Sequence, residues 1–464
     1  MKQLIGLLFL CSSFISFSQN LEGIILDEKN NVLEGVSVYI PSLNKGTTSE
    51  KNGEFIIENI SSSKLKVHFS MIGYKTLVKT ISSDFSKIIL HENIFEIKDV
   101  VVSGGFKNNA DRSAVKIESI SADELSFHSA ASLTLALADE PSVEMIKLGN
   151  SITKPVIRGL SGNRVVILYQ GARTSNQAWG EEHGVFIPEE GIGNVEIIKG
   201  PASLLFGSDA MGGVLNFIPL KPLINNGRKS KFSTSYFSTS NGILSSFISQ
   251  KKRSSWFHTY GIGYQNHADY RLPNGEYAHN SRYVQHYAFG NWGIIKEWGT
   301  FKGVYSSSYT NAGLTKGVVD LSERKIENPW QQVGDHFVTT EGVFWMKGWT
   351  LKPFISYQLN HRKEYEEEED ADLDMSLRTS RYDFKALKSN STFELILGSQ
   401  GMSQSNTNYV ENILVPDAIT TDISLYTLIN KKFSKMQLQS GIRTDFRQLQ
   451  LSEKTKEFND YTYS

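Results

Sequence analysis

The sequence is poor in cysteine, in net charge and in long apolar runs, and each shortage excludes something. Its one cysteine, Cys11, allows no intramolecular disulfide. Lys+Arg total 48 against Asp+Glu 49, for a net charge of −1, so no basic field argues for nucleic acid. Beyond the first residues there is no run of 18 uncharged apolar residues, which excludes a helical membrane span and leaves strands as the only way across a bilayer. There is no nucleophile–base pair and no H-x-x-E style metal motif in the first domain, so nothing there argues for an enzyme. No cofactor is expected.

What is present begins with a secretory signal over residues 1–18. Lys2 supplies the charged start, Leu4 to Phe17 the apolar stretch, and Ser16-Phe17-Ser18 the small residues before cleavage. Leu10 ahead of Cys11 does not fit a lipoprotein. Aromatics make up 11% of the chain, with 19 Tyr and 26 Phe, as in transmembrane β-barrels, whose interfaces are girdled by aromatic rings.

Residues 19–92 read as a small β-sandwich. Gly23 to Asp27, Val36 to Ile40 and Leu65 to Ser70 are short alternating strands. Gly46-Thr47-Thr48-Ser49 and then Asn52-Gly53-Glu54-Phe55-Ile56-Ile57 read as a hairpin with Asn52-Gly53 as the turn. His68 falls on the polar side of its strand, as a surface residue.

The most ordered stretch is Asn194 to Asn216. Val195 to Ile198 is a strand, Lys199-Gly200-Pro201 breaks it, and Ala202 to Phe206 is one tight turn. Gly207-Ser208-Asp209-Ala210 turns again, Gly212-Gly213 lets backbones pass closely, and Val214 to Ile218 is a second strand. Upstream, Ser121 to Leu125 starts a helix, Ser129 to Asp139 continues the helical signal, and Glu140-Pro141 stops it.

The run Lys199-Gly200-Pro201, Phe206-Gly207, Gly212-Gly213-Val214-Leu215-Asn216 resembles the end of the plug domain of TonB-dependent outer-membrane receptors. Lys stands where Arg is commoner and Phe where Tyr is commoner. The segment Val156 to Gly171, with Arg158-Gly159 and Asn163-Arg164, resembles the plug's strand–loop–strand unit, with Gln170 in place of the usual Asp. Gly23, Asp27, Leu33 to Val36, Asn52 to Phe55 and Ile72-Gly73-Tyr74 resemble the carboxypeptidase regulatory-like domain that precedes the plug in Bacteroidetes-type receptors. Asp99, Val100, Val101, Val102 and Ser103 resemble the TonB box, an extended segment able to add to a partner's sheet edge; the alternative is an ordinary edge strand.

The fold expected is mainly β: the sandwich, an α+β plug with its TonB box region over 93–220, and part of a transmembrane antiparallel β-barrel over 221–464. Trp256, His258, Tyr260, Ile262 and Tyr264 share one face there, and Phe257, Thr259, Gly261, Gly263 and Gln265 the other. That alternation suits a barrel and equally a soluble antiparallel sheet. From Lys221 to the end there are 464 − 220 = 244 residues, about half of what a barrel of about 22 strands needs, so the sequence reads as C-terminally incomplete.

The resemblance implies an outer-membrane receptor that admits a scarce substrate, metal ion or metal chelate, when TonB and its inner-membrane energising complex rearrange the plug. Outer-membrane lipid surrounds the barrel. The alternative is a cell-surface β-protein for adhesion or glycan binding, which has no use for a plug. Arg158, Gly159, Arg164, Gly200, Pro201, Gly207, Gly212, Gly213 and Asn216 are expected to be structural, the two arginines pairing within the plug or against the barrel wall. Gln177 to Gly184 is the chemical loop: Glu181, Glu182 and His183 offer oxygen and nitrogen ligands to a divalent metal, with further ligands needed from elsewhere. Glu364 to Asp374, dense in Glu and Asp, cannot cross lipid and reads as an extracellular loop or lumen rim, solvated or drawing cations in.

Overall fold

The computed structural model describes residues 19–451 apart from 29, 44, 61–64, 72–73, 75–76, 82–85, 92–115, 127–131, 142, 176, 179, 181, 200–202, 208, 368–369, 391, 412, 414 and 434–435. The chain divides into two compact units, Met1–Val100 and Val101–Ser464. The signal segment and the TonB-box residues Asp99 to Ser103 lie outside the described residues, as do Glu181, Gly200 and Pro201.

The first unit is the expected sandwich. One sheet orders Glu54–Ile60, Gln19–Leu26 and Ser86–Ile89; the other orders Lys45–Thr48, Ser37–Ile40, Leu65–Ser70 and Leu77–Ile81. Every second residue turns inward, so Leu21, Ile25, Val38, Ile40, Val67 and Phe69 are buried. Phe55 and Phe69 meet edge to face, their ring centroids 5.6 Å apart. His68 is half-buried on the outward face. The expected hairpin across Asn52-Gly53 does not form. Lys45–Thr48 pairs with Ser37–Ile40, and Glu54–Ile60 pairs with Gln19–Leu26 in the other sheet. The cause is Ser49, whose buried hydroxyl donates to Leu33 O at 2.6 Å and accepts from Val36 N at 2.9 Å. That anchor ends the first pairing, and the turn at Gly53 carries the chain to the second sheet.

In the second unit, the plug is built on a sheet ordered Ala172–Thr174, Val165–Tyr169, Gly213–Pro219, Ile192–Lys199 and Lys116–Ser121. The helical signal yields Ala122–Ser126, then Leu133–Ala136 running into one turn of 3-10 helix over Leu137–Asp139. Ser203–Phe206 is the single turn expected there. Val143–Leu148 and Ile152–Ile157 form a separate hairpin. Gln170 and Gly171 both have positive φ, so the reverse turn forms without the usual Asp. Gly212 is required by close approach: a Cβ there would stand 3.1 Å from the carbonyl oxygens of Arg164 and Ile157.

The remaining strands form one antiparallel sheet of eleven, each paired with its sequence neighbour: Gly227–Phe237, Gly242–Arg253, Trp256–His267, Tyr283–Lys296, Gly299–Gly313, Trp330–Met346, Trp349–Tyr365, Leu373–Ser389, Phe393–Asn408, Ala418–Lys432 and Gln437–Leu451. Their burial decides what alternation alone left open. Trp256, Tyr260, Ile262, Tyr264, Trp292, Phe301, Tyr305 and Ile355 are exposed, whereas Thr259, Gln265, Gln285, Asn291, Ser306, Gln358 and Asn360 are buried. A water-soluble sheet would do the reverse; apolar-out and polar-in is the membrane-barrel arrangement. Trp256 and Tyr264 lie eight positions apart on one strand, about 27 Å of backbone and roughly 20 Å of height at barrel tilt, matching an apolar band flanked by aromatics. Short turns such as 254–255, 297–298 and 347–348 close one end of the wall, and the segments 268–282, 314–329, 366–372 and 409–417 close the other. The plug packs on the buried face: the Tyr169 ring meets Phe337 of the wall at a tilt, centroids 5.1 Å apart, and Tyr169 hydrogen-bonds Ser306 at 3.0 Å.

Candidate metal site at the seam between plug and wall

The chemical loop is held from below. Buried Gln177 donates to the carbonyls of Gly162 and Val165, and buried Lys154 donates to that of Gly180. Val185 N bonds Thr153 O at 2.9 Å, where the hairpin strand Ile152–Ile157 runs alongside. These contacts turn His183 toward the wall with its side chain fully buried.

The wall supplies the rest. Gln331 and Glu364 are opposite each other in the register of Trp330–Met346 with Trp349–Tyr365, and Val333 lies opposite Arg362. Residues two apart share a face, so Arg362 and Glu364 both point inward. His183 Nε2 lies 2.9 Å from Glu364 Oε1 and 3.4 Å from Glu182 Oε1. One ligand atom from each of Glu182, His183 and Glu364 falls within 4.8 Å of the others. Burial lowers the pKa of His183; the nearby Arg362 charge lowers it further, and the Glu364 hydrogen bond only partly opposes this. The imidazole is therefore neutral near pH 7, the form that binds metal: facing the carboxylate alone, Nε2 carries the proton and donates, and a metal at Nε2 requires that proton to sit on Nδ1. One nitrogen and two carboxylate oxygens from two polypeptide segments can hold a borderline divalent ion, with water or further groups completing the shell.

The structure thus brings Glu182 and His183 together and adds Glu364, which the sequence reading had placed in a solvated or cation-drawing acidic run. Glu364 is instead a mostly buried inward-facing strand residue, while Glu366 and Glu367 beyond it are exposed. The missed signal was alternation: Gln358, Asn360, Arg362 and Glu364 form one polar face leading straight into that run.

Asn216 is buried and donates to Glu196 at 3.3 Å. Gly207 and Gly213 have positive φ. Arg158 and Arg164 differ from expectation: both side chains are exposed, and the pairing foreseen for them is not seen among the described residues. Their backbone matters instead, through the positive φ of Arg158 and the bond from Gly212 N to Arg164 O at 2.8 Å. The arginine that pairs across the seam is Arg447 of the wall, and Arg173 of the plug sheet faces the same carboxylate. Both contact Asp209 of the plug, at 2.7 and 3.1 Å, and Arg447 also contacts Asp422 of the wall at 2.7 Å. Burial raises the Asp209 pKa, but the two guanidinium groups overcome it and hold the carboxyl below its usual range. Behind the His183 loop, half-buried Glu189 accepts from the amides of Leu133 and Thr134, and desolvation raises its carboxyl to about 7.

Residues 109–214 match the TonB-dependent receptor plug domain, and residues 21–102 match the carboxypeptidase regulatory-like domain. Over 105 residues the chain is 43% identical to a heme/hemopexin utilization protein C of Haemophilus influenzae, covering 22% of this chain and 14% of that protein. Over 129 residues it is 36% identical to an iron-regulated outer membrane virulence protein of Vibrio cholerae, covering 26% and 20%. Among solved structures, the copper transporter OprC superposes with a TM-score of 0.62 at 15% identity, over 72% of this chain and 56% of that one. The FrpB iron transporter from Neisseria meningitidis gives 0.62 at 14%, over 72% and 58%. The chain thus spans less than two thirds of these solved receptors, and the sequence matches span a fifth or less of these two curated relatives. A plug domain over 109–214, following a regulatory-like domain in the chain and packed on a wall that is apolar outside and polar within, is what this chain shares with the TonB-dependent outer-membrane receptors.

Proposed function

We propose that this chain takes up a metal ion across the outer membrane and that Glu182, His183 and Glu364 are its first protein ligands. The observation that carries the reading is their convergence within 4.8 Å across the seam that must open for passage. Relatives named for heme, iron and copper support metal as the class of cargo. A bare or hydrated ion fits better than a bulky chelate, because the His183 side chain is fully buried and the ligand atoms enclose a space of atomic size. Glu364 stands beside the segment 366–372, at the end of the wall closed by long segments, which in outer-membrane barrels is the extracellular end.

TonB, with its energising complex, pulls on the segment around Asp99 to Ser103 and so rearranges the plug. The chain is a receptor and not an enzyme. The sandwich spans 19–92, the TonB box region and plug 93–220, and the wall begins at 221. Glu181, next to Glu182 in the chain, joins the ligand set on this reading.

The test is uptake of zinc, copper and iron by cells making the whole receptor, with Glu182→Ala, His183→Ala and Glu364→Ala at equal outer-membrane levels. The reading expects at least a tenfold fall for one metal, about 1.4 kcal/mol or more of lost binding. Unchanged uptake of all three overturns it.

A further inference from the structure

The proposed metal site already holds a cation. Arg362 has no exposed surface. Its Nη1 donates to Gln331 Oε1 at 2.5 Å and to Glu364 Oε1 at 3.3 Å. That oxygen of Glu364 is the one His183 contacts. Gln331 in turn donates through Nε2 to the backbone carbonyl of Glu182 at 2.9 Å. The contacts close a ring: His183 and Glu182 on the plug, Glu364, Arg362 and Gln331 on the wall. With no metal bound, the guanidinium offsets part of the negative charge of Glu182 and Glu364, and Gln331 carries that arrangement back to the plug.

We propose that Arg362 is a resident counter-cation, which an incoming divalent metal displaces from Glu364, so that occupancy of the site loosens the contact between plug and wall. This rests on reading Glu182, His183 and Glu364 as the metal ligands. A metal bound through Glu364 Oε1 would sit within a few ångströms of the guanidinium, and two cations so close in a buried site repel strongly. The guanidinium has somewhere to go: Asp335 is fully buried on the same inward face, accepting from Gln358 and Asn360, and its charge already acts on Arg362. A move from Glu364 toward Asp335 draws Nη1 away from Gln331 and frees the amide that grips the Glu182 carbonyl. Arg362 is thus a positioning residue: it lowers metal affinity in the resting receptor and converts binding into release of the seam. Arginine suits this role because its planar fork serves two acceptors at once and is weakly hydrated when buried.

The experiment is calorimetric titration of Zn2+ into the purified whole receptor, paired with zinc uptake by cells making the same variants at equal outer-membrane levels. Arg362→Gln is expected to bind Zn2+ at least tenfold more tightly and to take it up at least tenfold more slowly. A merely structural arginine would weaken both. Arg362→Lys keeps the charge but lacks the fork; it is expected to hold affinity within about threefold of wild type while losing uptake, and it serves if the glutamine variant is not made in folded form. Arg362→Gln binding no tighter than wild type, or either variant taking up zinc at the wild-type rate, overturns the inference. His183→Ala separates the two claims. If it binds Zn2+ as wild type does, the metal site itself is wrong. If it weakens binding while Arg362→Gln leaves affinity unchanged, the site stands and only the counter-cation role falls.

Discussion

The plug meets the wall through two charged seams, and they are built on opposite principles. At the Asp209 seam each carboxylate faces a guanidinium: Arg173 and Arg447 on Asp209, Arg447 on Asp422, and Arg443 on Asp445 at 2.8 Å. At the His183 seam two carboxylates share one guanidinium and a neutral imidazole. The first is electrostatically closed and offers a cation nothing that is not already engaged. The second carries surplus negative charge and a metal-competent nitrogen. The contrast separates a seam that fastens from the seam we propose binds metal, although both are ion-pair clusters between the same two bodies.

The sharpest way to break that contrast is to strip each seam in turn. His183→Ala with Glu364→Ala is expected to lower metal uptake a hundredfold or more, about 2.7 kcal/mol, and to loosen the plug less than the loss of Asp209 does, since Gln331 still bonds the Glu182 carbonyl. Asp209→Ala should do the converse. It leaves Arg173 facing no carboxylate and costs the plug about 1–3 kcal/mol, read as faster proteolysis or hydrogen exchange of the plug, while the metal dissociation constant stays put. If Asp209→Ala weakens metal binding as much as the double variant does, the two seams are one system.

Glu189 lies behind the binding loop, and its carboxyl is raised from 4.5 to about 7. A carboxyl raised in the folded state destabilises the fold when it ionises. Stability is therefore fully present below about pH 4.5 and falls as pH rises toward 7, after which it levels off. The raw shift corresponds to about 3 kcal/mol; relaxation around the ionised group will leave less, about 1 kcal/mol between pH 5 and 8. Hydrogen exchange at Leu133 and Thr134 is expected to quicken over that interval, and Glu189→Gln should flatten the profile. A wild-type profile already flat would show that this carboxyl does not titrate there.

Much of the fold was legible because it is local. The Gly212-Gly213 approach and the Gln170-Gly171 turn each follow from backbone sterics at named residues. The faces of Trp256 to Gln265 follow from a period of two. Which of those faces meets lipid was not legible, since alternation is symmetric until something fills one side. The Asn52-Gly53 hairpin failed for a related reason: the Ser49 anchor to Leu33 and Val36 is a tertiary contact that outweighs a good turn signal. Half of the proposed metal site was visible as Glu182-His183. Glu364 lies 181 residues on from His183, and only the strand register brings it back.

The smallest effect tests how the fastening seam distributes its load. Arg447 has a side chain 48% exposed, against 17% for Arg173, yet both hold Asp209. An exposed ion pair contributes about 0–1 kcal/mol, and Arg173 would remain to neutralise Asp209, so Arg447→Ala is expected to cost the plug less than about 1 kcal/mol. Arg173→Ala, which empties the more buried side, should cost more. Raising the salt concentration should erase the Arg447 contribution first, because screening reaches the exposed charge sooner. Were Arg447→Ala the costlier change at low and high salt alike, burial would not be what ranks these contacts, and the fastening would reside in the link that Arg447 makes between Asp209 of the plug and Asp422 of the wall.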